Sequence, residues 1–227
     1  MISMKSALIQ LAAAALTMAW MAGASGQDVT DRAGKWEGHF NILYGDSQNV
    51  TGDNGSSADV DSSAGWGFGF GYNFNDHWAL EGNFSYRDAD YRATVAPGAG
   101  NPNLPQSISG TMETSTLAFN ATYNLLARSF TPFVTGGVGG TYVDTNIPDG
   151  LAVPVCWWDP WWGYYCAPAY PTKAETYFSY NVGAGVRWES KGSLFLRALV
   201  SEQWIDVGGD IGTPDFLQFR LDIGTRF

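Results

Sequence analysis

Counting back from Phe227, the chain alternates with a period of two. Leu217, Phe219, Leu221, Ile223 and Thr225 fall on one face, and Gln218, Arg220, Asp222 and Arg226 on the other. That period predicts a strand with two unlike faces. The same alternation recurs upstream. The stretch 35–44 sets Trp36, Phe40, Ile42 and Tyr44 against Lys35, Glu37, His39 and Asn41. In 65–74 aromatic residues alternate with glycines, giving a bulky face and an empty one, as a strand crowded on its inner side by the neighbours of a narrow barrel would need. The stretch 77–87 turns Trp78, Leu80, Phe84 and Tyr86 outward and Glu81 and Arg87 inward.

Further strands are predicted over 117–125, 132–143, 178–188, 194–200 and 216–227. Arg187, Arg197, Arg220, Asp222 and Arg226 lie on their polar faces, and Glu189 just beyond the sixth strand joins them. A soluble core does not bury such charges unpaired, so this face must see water or charge partners. Short turns follow the second, fourth and sixth strands (75–76, 127–129 and 190–192). Longer connections follow the first (45–63), the third (88 to about 107), the fifth and the seventh. The fold class expected is all-β: an eight-stranded antiparallel up-and-down transmembrane β-barrel.

This chain resembles the small eight-stranded OmpA/OmpX-type barrel family, in its stand-alone members without a peptidoglycan-binding domain. The resemblance rests on the alternation, the turn order and the terminal aromatic rather than on an invariant motif. It implies an integral protein of the bacterial outer membrane, with short turns and both termini in the periplasm and long loops outside. It also implies contact with outer-membrane lipid and lipopolysaccharide, and delivery to the barrel-assembly machinery through the C-terminal strand, with Phe227 as the assembly signal.

The N-terminus agrees with export. Lys5, the apolar run from Ala7 to Leu16 and the small residues Ala22–Gly26 predict a secretory signal peptide over residues 1–26, cleaved after Ala24 or Gly26. The apolar run is too short for a membrane anchor because Gln10 interrupts it. Residues 27–227 then form one barrel domain. A formal net charge of −10 argues against nucleic acid as a partner. The 10 Trp, 11 Tyr and 13 Phe suit two interfacial girdles, with Trp36, Tyr44, Tyr72, Trp78, Tyr86, Tyr123, Trp188 and Phe227 near strand ends.

The densest local feature is Cys156-Trp157-Trp158-Asp159-Pro160-Trp161-Trp162-Gly163-Tyr164-Tyr165-Cys166, in the connection after the fifth strand. The chain has two cysteines and is sent through an oxidising compartment, so Cys156 and Cys166 are expected to form a disulfide. Two readings of the aromatic cluster stand: a rigid tip with Trp157, Trp158, Trp161, Trp162, Tyr164 and Tyr165 as binding residues, or a lid over the barrel mouth.

The inward charges Glu37, Glu81, Arg87, Arg187, Glu189, Arg197, Arg220, Asp222 and Arg226 are expected to form a salt-bridged plug rather than an ion path, since eight strands enclose only enough room for side chains. Arginine suits bidentate pairing in that space. Asp46, Asp53, Asp59 and Asp61 match no calcium-loop spacing and read as a solvated acidic loop; no metal and no cofactor is called for. His39 and His77 fall in the lower lumen and a periplasmic turn, so a Ser/His acyl-transfer site at the outer rim has no base. The expectation is a non-enzymatic, monomeric barrel with a structural or surface-interaction role, in adhesion or ligand binding. A small passive channel for ions or small apolar solutes is the alternative, and a lipid A-modifying enzyme a third reading.

Overall fold

The computed structural model describes residues 30–51, 57–95, 106–148, 153–159, 163–169, 172–208 and 213–227. Every element is a strand: β1 (Trp36–Gly45), β2 (Gln48–Thr51), β3 (Ser57–Val60), β4 (Ser63–Asn73), β5 (Trp78–Val95), β6 (Gln106–Asn124), β7 (Phe130–Pro148), β8 (Val153–Asp159), β9 (Gly163–Ala169), β10 (Thr172–Glu189), β11 (Leu194–Asp206) and β12 (Asp215–Arg226).

Eight of them close on themselves. The hydrogen-bonded order β5-β4-β1-β12-β11-β10-β7-β6 is completed by a β5–β6 pairing, and all neighbours are antiparallel. The seam joins the first and last barrel strands, with Glu37 opposite Arg226 and Tyr44 opposite Phe219. Closure removes every edge within the bilayer, as a spanning sheet must.

The tight turn between β4 and β5 has a local cause. The Asn75 side chain accepts from the backbone N–H groups of His77 and Trp78, each at 2.8 Å, and so fixes the reversal. The glycine row is equally specific. A Cβ on Gly67 would lie 2.7 Å from the Asn41 amide oxygen, and one on Gly71 would lie 3.0 Å from Glu81 Cβ. Side chains of β1 and β5 fill the space that the β4 glycines leave empty.

Apolar side chains point out and polar ones in. Trp36, Phe40, Ile42, Phe68, Phe70, Leu80, Phe119, Val138, Val182, Leu196, Leu221 and Ile223 are exposed, while Glu37, His39, Asn41, Asn83, Asn120 and Asp222 are buried. Trp36, Trp78, Tyr123, Trp188 and Phe227 ring the end that carries the short turns; Tyr44, Trp66 and Tyr142 mark the opposite boundary.

Beyond that upper boundary the structure differs from the sequence expectation. Strands of about 9–11 residues suffice to cross a bilayer, yet β5 and β10 have 18 residues and β6 and β7 have 19. Half of 88–107, expected as loop, continues β5 and β6, leaving 96–105 between them. The acidic connection 45–63 also contains a hairpin, β2–β3, with β3 paired to the extension of β5. β11 likewise runs past Val200 to Asp206. The physical reason is that the outward positions become polar there (Asp88, Asp90, Glu113), so the lipid-facing half of the alternation disappears while the strand goes on. Its inward half persists: Val60, Ala89 and Tyr91 are buried together, with Ala93 and Met112 packed on them. The leader predicted over residues 1–26 and the acidic-loop residue Asp53 lie outside the described residues.

Candidate functional site

The lumen is built in layers, each supplied by inward positions that the register brings level. At the periplasmic floor Arg187 makes a bidentate pair with Glu37, Nη1 donating to Oε2 at 2.9 Å and Nη2 to Oε1, and its Nε donates to Glu189 at 2.6 Å. Arg226 Nη1 adds a bond to Glu189 at 3.1 Å. Arg32, which precedes β1, plugs the same end: it is fully buried, lies 3.4 Å from Glu189, and donates to the carbonyls of Leu126 and Arg128. The Thr30 hydroxyl donates to Glu189 as well.

One layer up, Arg197 joins three strands. Its Nε donates to Asp222 at 2.8 Å and its Nη1 to Glu81 at 2.7 Å, while Nη2 lies 3.2 Å from the His39 ring nitrogens. Arg220 reaches Glu81 at 3.4 Å; its Nε stands 2.9 Å from Asp222 Oδ1, near enough for an ion pair but poorly aligned for a hydrogen bond. Phe195 and Phe133, almost wholly buried, line these guanidiniums. Arg187 sits 4.3 Å from the Phe195 centroid, and Arg197 lies 5.4 and 6.0 Å from Phe195 and Phe133. Stacked, bidentate guanidiniums make such a floor specific to arginine; lysine has neither the planar fork nor the flat face.

Above the ion pairs the lumen is neutral and polar. Asn83, Asn120, Asn181, Ser201, Gln203, Gln218 and Arg220 are among the residues around a cavity of about 40 Å³, room for a few waters. Gln218 donates to Gln203 at 2.6 Å, Gln203 to Thr141 at 3.1 Å, and Thr141 to Ser179 at 3.0 Å, a chain of bonds running round the wall.

Of the nine inward charges expected from sequence, eight meet in the two ionic layers. Arg87 does not, which corrects its assignment to the network. It is buried higher up, opposite Gly65 in the register, with its guanidinium 5.7 Å from the Phe216 centroid and no ion pair among the described residues. The physical reason is its level: the lumen carboxylates end at Glu81 and Asp222, two or more layers below. Sequence reasoning also missed Arg32, Thr30, Phe133 and Phe195. Phe195 shares the parity of Arg197 and was readable, but an apolar residue on such a strand is naturally assigned to lipid. Arg32 carries no periodic signal at all.

The aromatic cluster forms a hairpin of its own. β8 and β9 pair only with each other among the described residues, with Trp157 opposite Tyr165 and Trp158 opposite Tyr164. Cys156 and Cys166, directly opposed, are joined by a disulfide. Trp158 is 67% exposed; Trp161 and Trp162 lie outside the described residues.

Comparison with known proteins agrees with this architecture. A family model described as outer membrane protein beta-barrel domain matches residues 10–227. The chain belongs to this family. It is therefore an integral outer-membrane barrel, which fixes the apolar belt as the lipid-facing surface and the long strand extensions as extracellular. Among solved structures, it is similar to the outer membrane protein OprG of Pseudomonas aeruginosa at 14% identity, with 88% of this chain and 99% of that one covered and a TM-score of 0.54. The attachment invasion locus protein Ail of Yersinia pestis, solved with the heparin analogue sucrose octasulfate, is 15% identical over 85% of this chain and 99% of its own, with a TM-score of 0.46. Neisserial surface protein A is 13% identical over 84% and 95%, also at 0.46. At these identities the likeness concerns the fold alone. No curated protein sequence matches the chain.

Proposed function

We propose that the protein is a monomeric, non-enzymatic outer-membrane barrel with a structural and surface-interaction role, displaying a strand-built rim and a disulfide-locked aromatic hairpin to ligands outside the cell. The observation that carries this reading is the layer in which Arg197 holds Glu81 and Asp222 across the lumen. With that layer and the Arg187 floor occupied, ion-paired side chains fill two levels of the lumen, which supports interaction at the extracellular rim over passage through the barrel.

The exposed Trp158 on a hairpin held by Cys156 and Cys166 supports binding, because aromatic side chains on a rigid support contribute large contact area at low entropic cost. The ligand class that suits it is the sugar of a glycolipid such as lipopolysaccharide. A lipid A-modifying reaction would need a base at the outer rim; His39 lies in the Arg197 layer and His77 Nδ1 meets the Asn124 carbonyl at 2.7 Å in the periplasmic turn. Replacing Trp157, Trp158, Trp161 and Trp162 together by Ser is expected to weaken binding of the purified protein to lipopolysaccharide-bearing vesicles while leaving its conductance unchanged. A parent protein that conducts steadily as a monomer in planar bilayers would overturn the closed-barrel reading and favour a passive channel.

A further inference from the structure

Within the described lumen, six guanidiniums (Arg32, Arg87, Arg187, Arg197, Arg220 and Arg226) face four carboxylates (Glu37, Glu81, Glu189 and Asp222). The interior is thus positive in a chain whose net charge is −10. Most of the excess is absorbed at the floor, where Arg32 and Arg226 donate to backbone carbonyls and both lie within ion-pair distance of Glu189. Arg87 stands apart from that floor. Only 6% of it is exposed, and among the described residues it forms no ion pair. Its guanidinium lies directly over Gly45, where any side chain would collide with it.

An arginine cannot relieve burial by losing its proton, so its charge must be met by something. The Phe216 ring at 5.7 Å offsets part of it. The rest of the surroundings are neutral: Ser85, Thr114, Thr116, Gln203 and Gln218 are among the residues that enclose, with Arg87, a cavity of about 10 Å³. That volume is the part open to the centre of a water-sized sphere, which leaves room for one water or monatomic ion and for no polyatomic oxyanion. The nearest acidic residues along the strands, Asp88 and Glu113, are paired with each other in the register one position on, where side chains point to the outer face.

We propose that this cavity is a binding site for a single halide-sized monovalent anion, held by Arg87 at the extracellular end of the lumen. Hydroxyl and amide groups complete its shell, and the positive lumen below favours its entry over that of a cation. The site is independent of the aromatic hairpin and of the surface-binding reading.

The test uses the full barrel refolded in detergent. Its heat-unfolding midpoint is measured in sodium chloride, sodium bromide and sodium gluconate at equal ionic strength, gluconate being too large for the cavity. Chloride and bromide are expected to raise the midpoint relative to gluconate; at a free concentration ten times the dissociation constant the folding constant rises about elevenfold. Arg87→Met should abolish the difference between the salts. No difference in the parent, or the same difference in Arg87→Met, would overturn the proposal. Should Arg87→Met fail to fold, parent crystals soaked in bromide decide: an anomalous peak beside the Arg87 guanidinium is expected, and its absence from that cavity overturns the site.

Discussion

Arg197 reaches across the lumen to Glu81, 116 residues away in sequence, and places Nη1 2.7 Å from a carboxylate oxygen. The same guanidinium holds Asp222, its register partner on β12, at 2.8 Å. One side chain therefore ties β5, β11 and β12 together at mid-lumen, in a place where a carboxylate left without its cation has little water to turn to.

Removing that cation should be costly. Arg197→Met is expected to destabilise the barrel by about 3–5 kcal/mol, the usual penalty for stranding a buried charge. Arg220, the other cation paired with Glu81 and Asp222 among the described residues, is less well placed. The companion expectation is that Arg197→Met together with Glu81→Gln loses less than Arg197→Met alone, because one of the two stranded carboxylates is gone. Denaturant titration of the refolded barrel measures both. In planar bilayers Arg197→Ala, which also removes side-chain volume, should raise conductance above a near-silent parent.

The strand phase, the inward charges and the terminal seam were legible because a charged residue every second position has no other place to go in a membrane strand. The partners were not. Glu37 meets Arg187 and Glu81 meets Arg197 only because the sheet closes, and closure distances are not written in any local pattern. The extracellular halves of β5 and β6 were lost for a different reason: outside the bilayer, Asp88, Asp90 and Glu113 face water, so period two no longer appears as apolar against polar. Arg87 showed the limit of parity. It gave the correct face, but the level within the lumen, which decides whether a carboxylate is near, depends on the register.

The glycine row of β4 makes a sharp packing prediction. Gly67→Ala would press a methyl against the Phe84 carbonyl oxygen at 2.3 Å and the Asn41 amide at 2.7 Å, and is expected to cost about 1–3 kcal/mol. Gly38 on β1 is the control, since its Cβ would meet nothing closer than Phe227 at 3.9 Å. Gly38→Ala should leave the temperature at which the compact gel band is lost within experimental error of the parent.

The hairpin and the barrel should be separable. No strand of the barrel pairs with β8 or β9 among the described residues, so opening the disulfide acts locally. Replacing Cys156 and Cys166 by Ser removes a constraint worth about 3 kcal/mol to the loop. The heat-resistant band is expected to persist, while protease cleavage between Ala152 and Tyr170 accelerates. Loss of the band would mean that the hairpin braces the barrel.

Phe227 allows assembly to be distinguished from stability. Its backbone closes the seam, accepting from Trp36 N–H at 3.0 Å and donating to the Trp36 carbonyl at 2.9 Å. Its ring, 62% exposed, packs loosely beside Phe70 at a centroid distance of 5.9 Å. Deleting the residue would remove both features, whereas Phe227→Ala keeps the two main-chain bonds and takes away only the ring. If the ring is the signal read by the assembly machinery, Phe227→Ala should fold in detergent with nearly parental stability and yet accumulate poorly in the outer membrane of living cells. Parental accumulation of Phe227→Ala, with a defect confined to the deletion, would assign the effect to the seam hydrogen bonds instead.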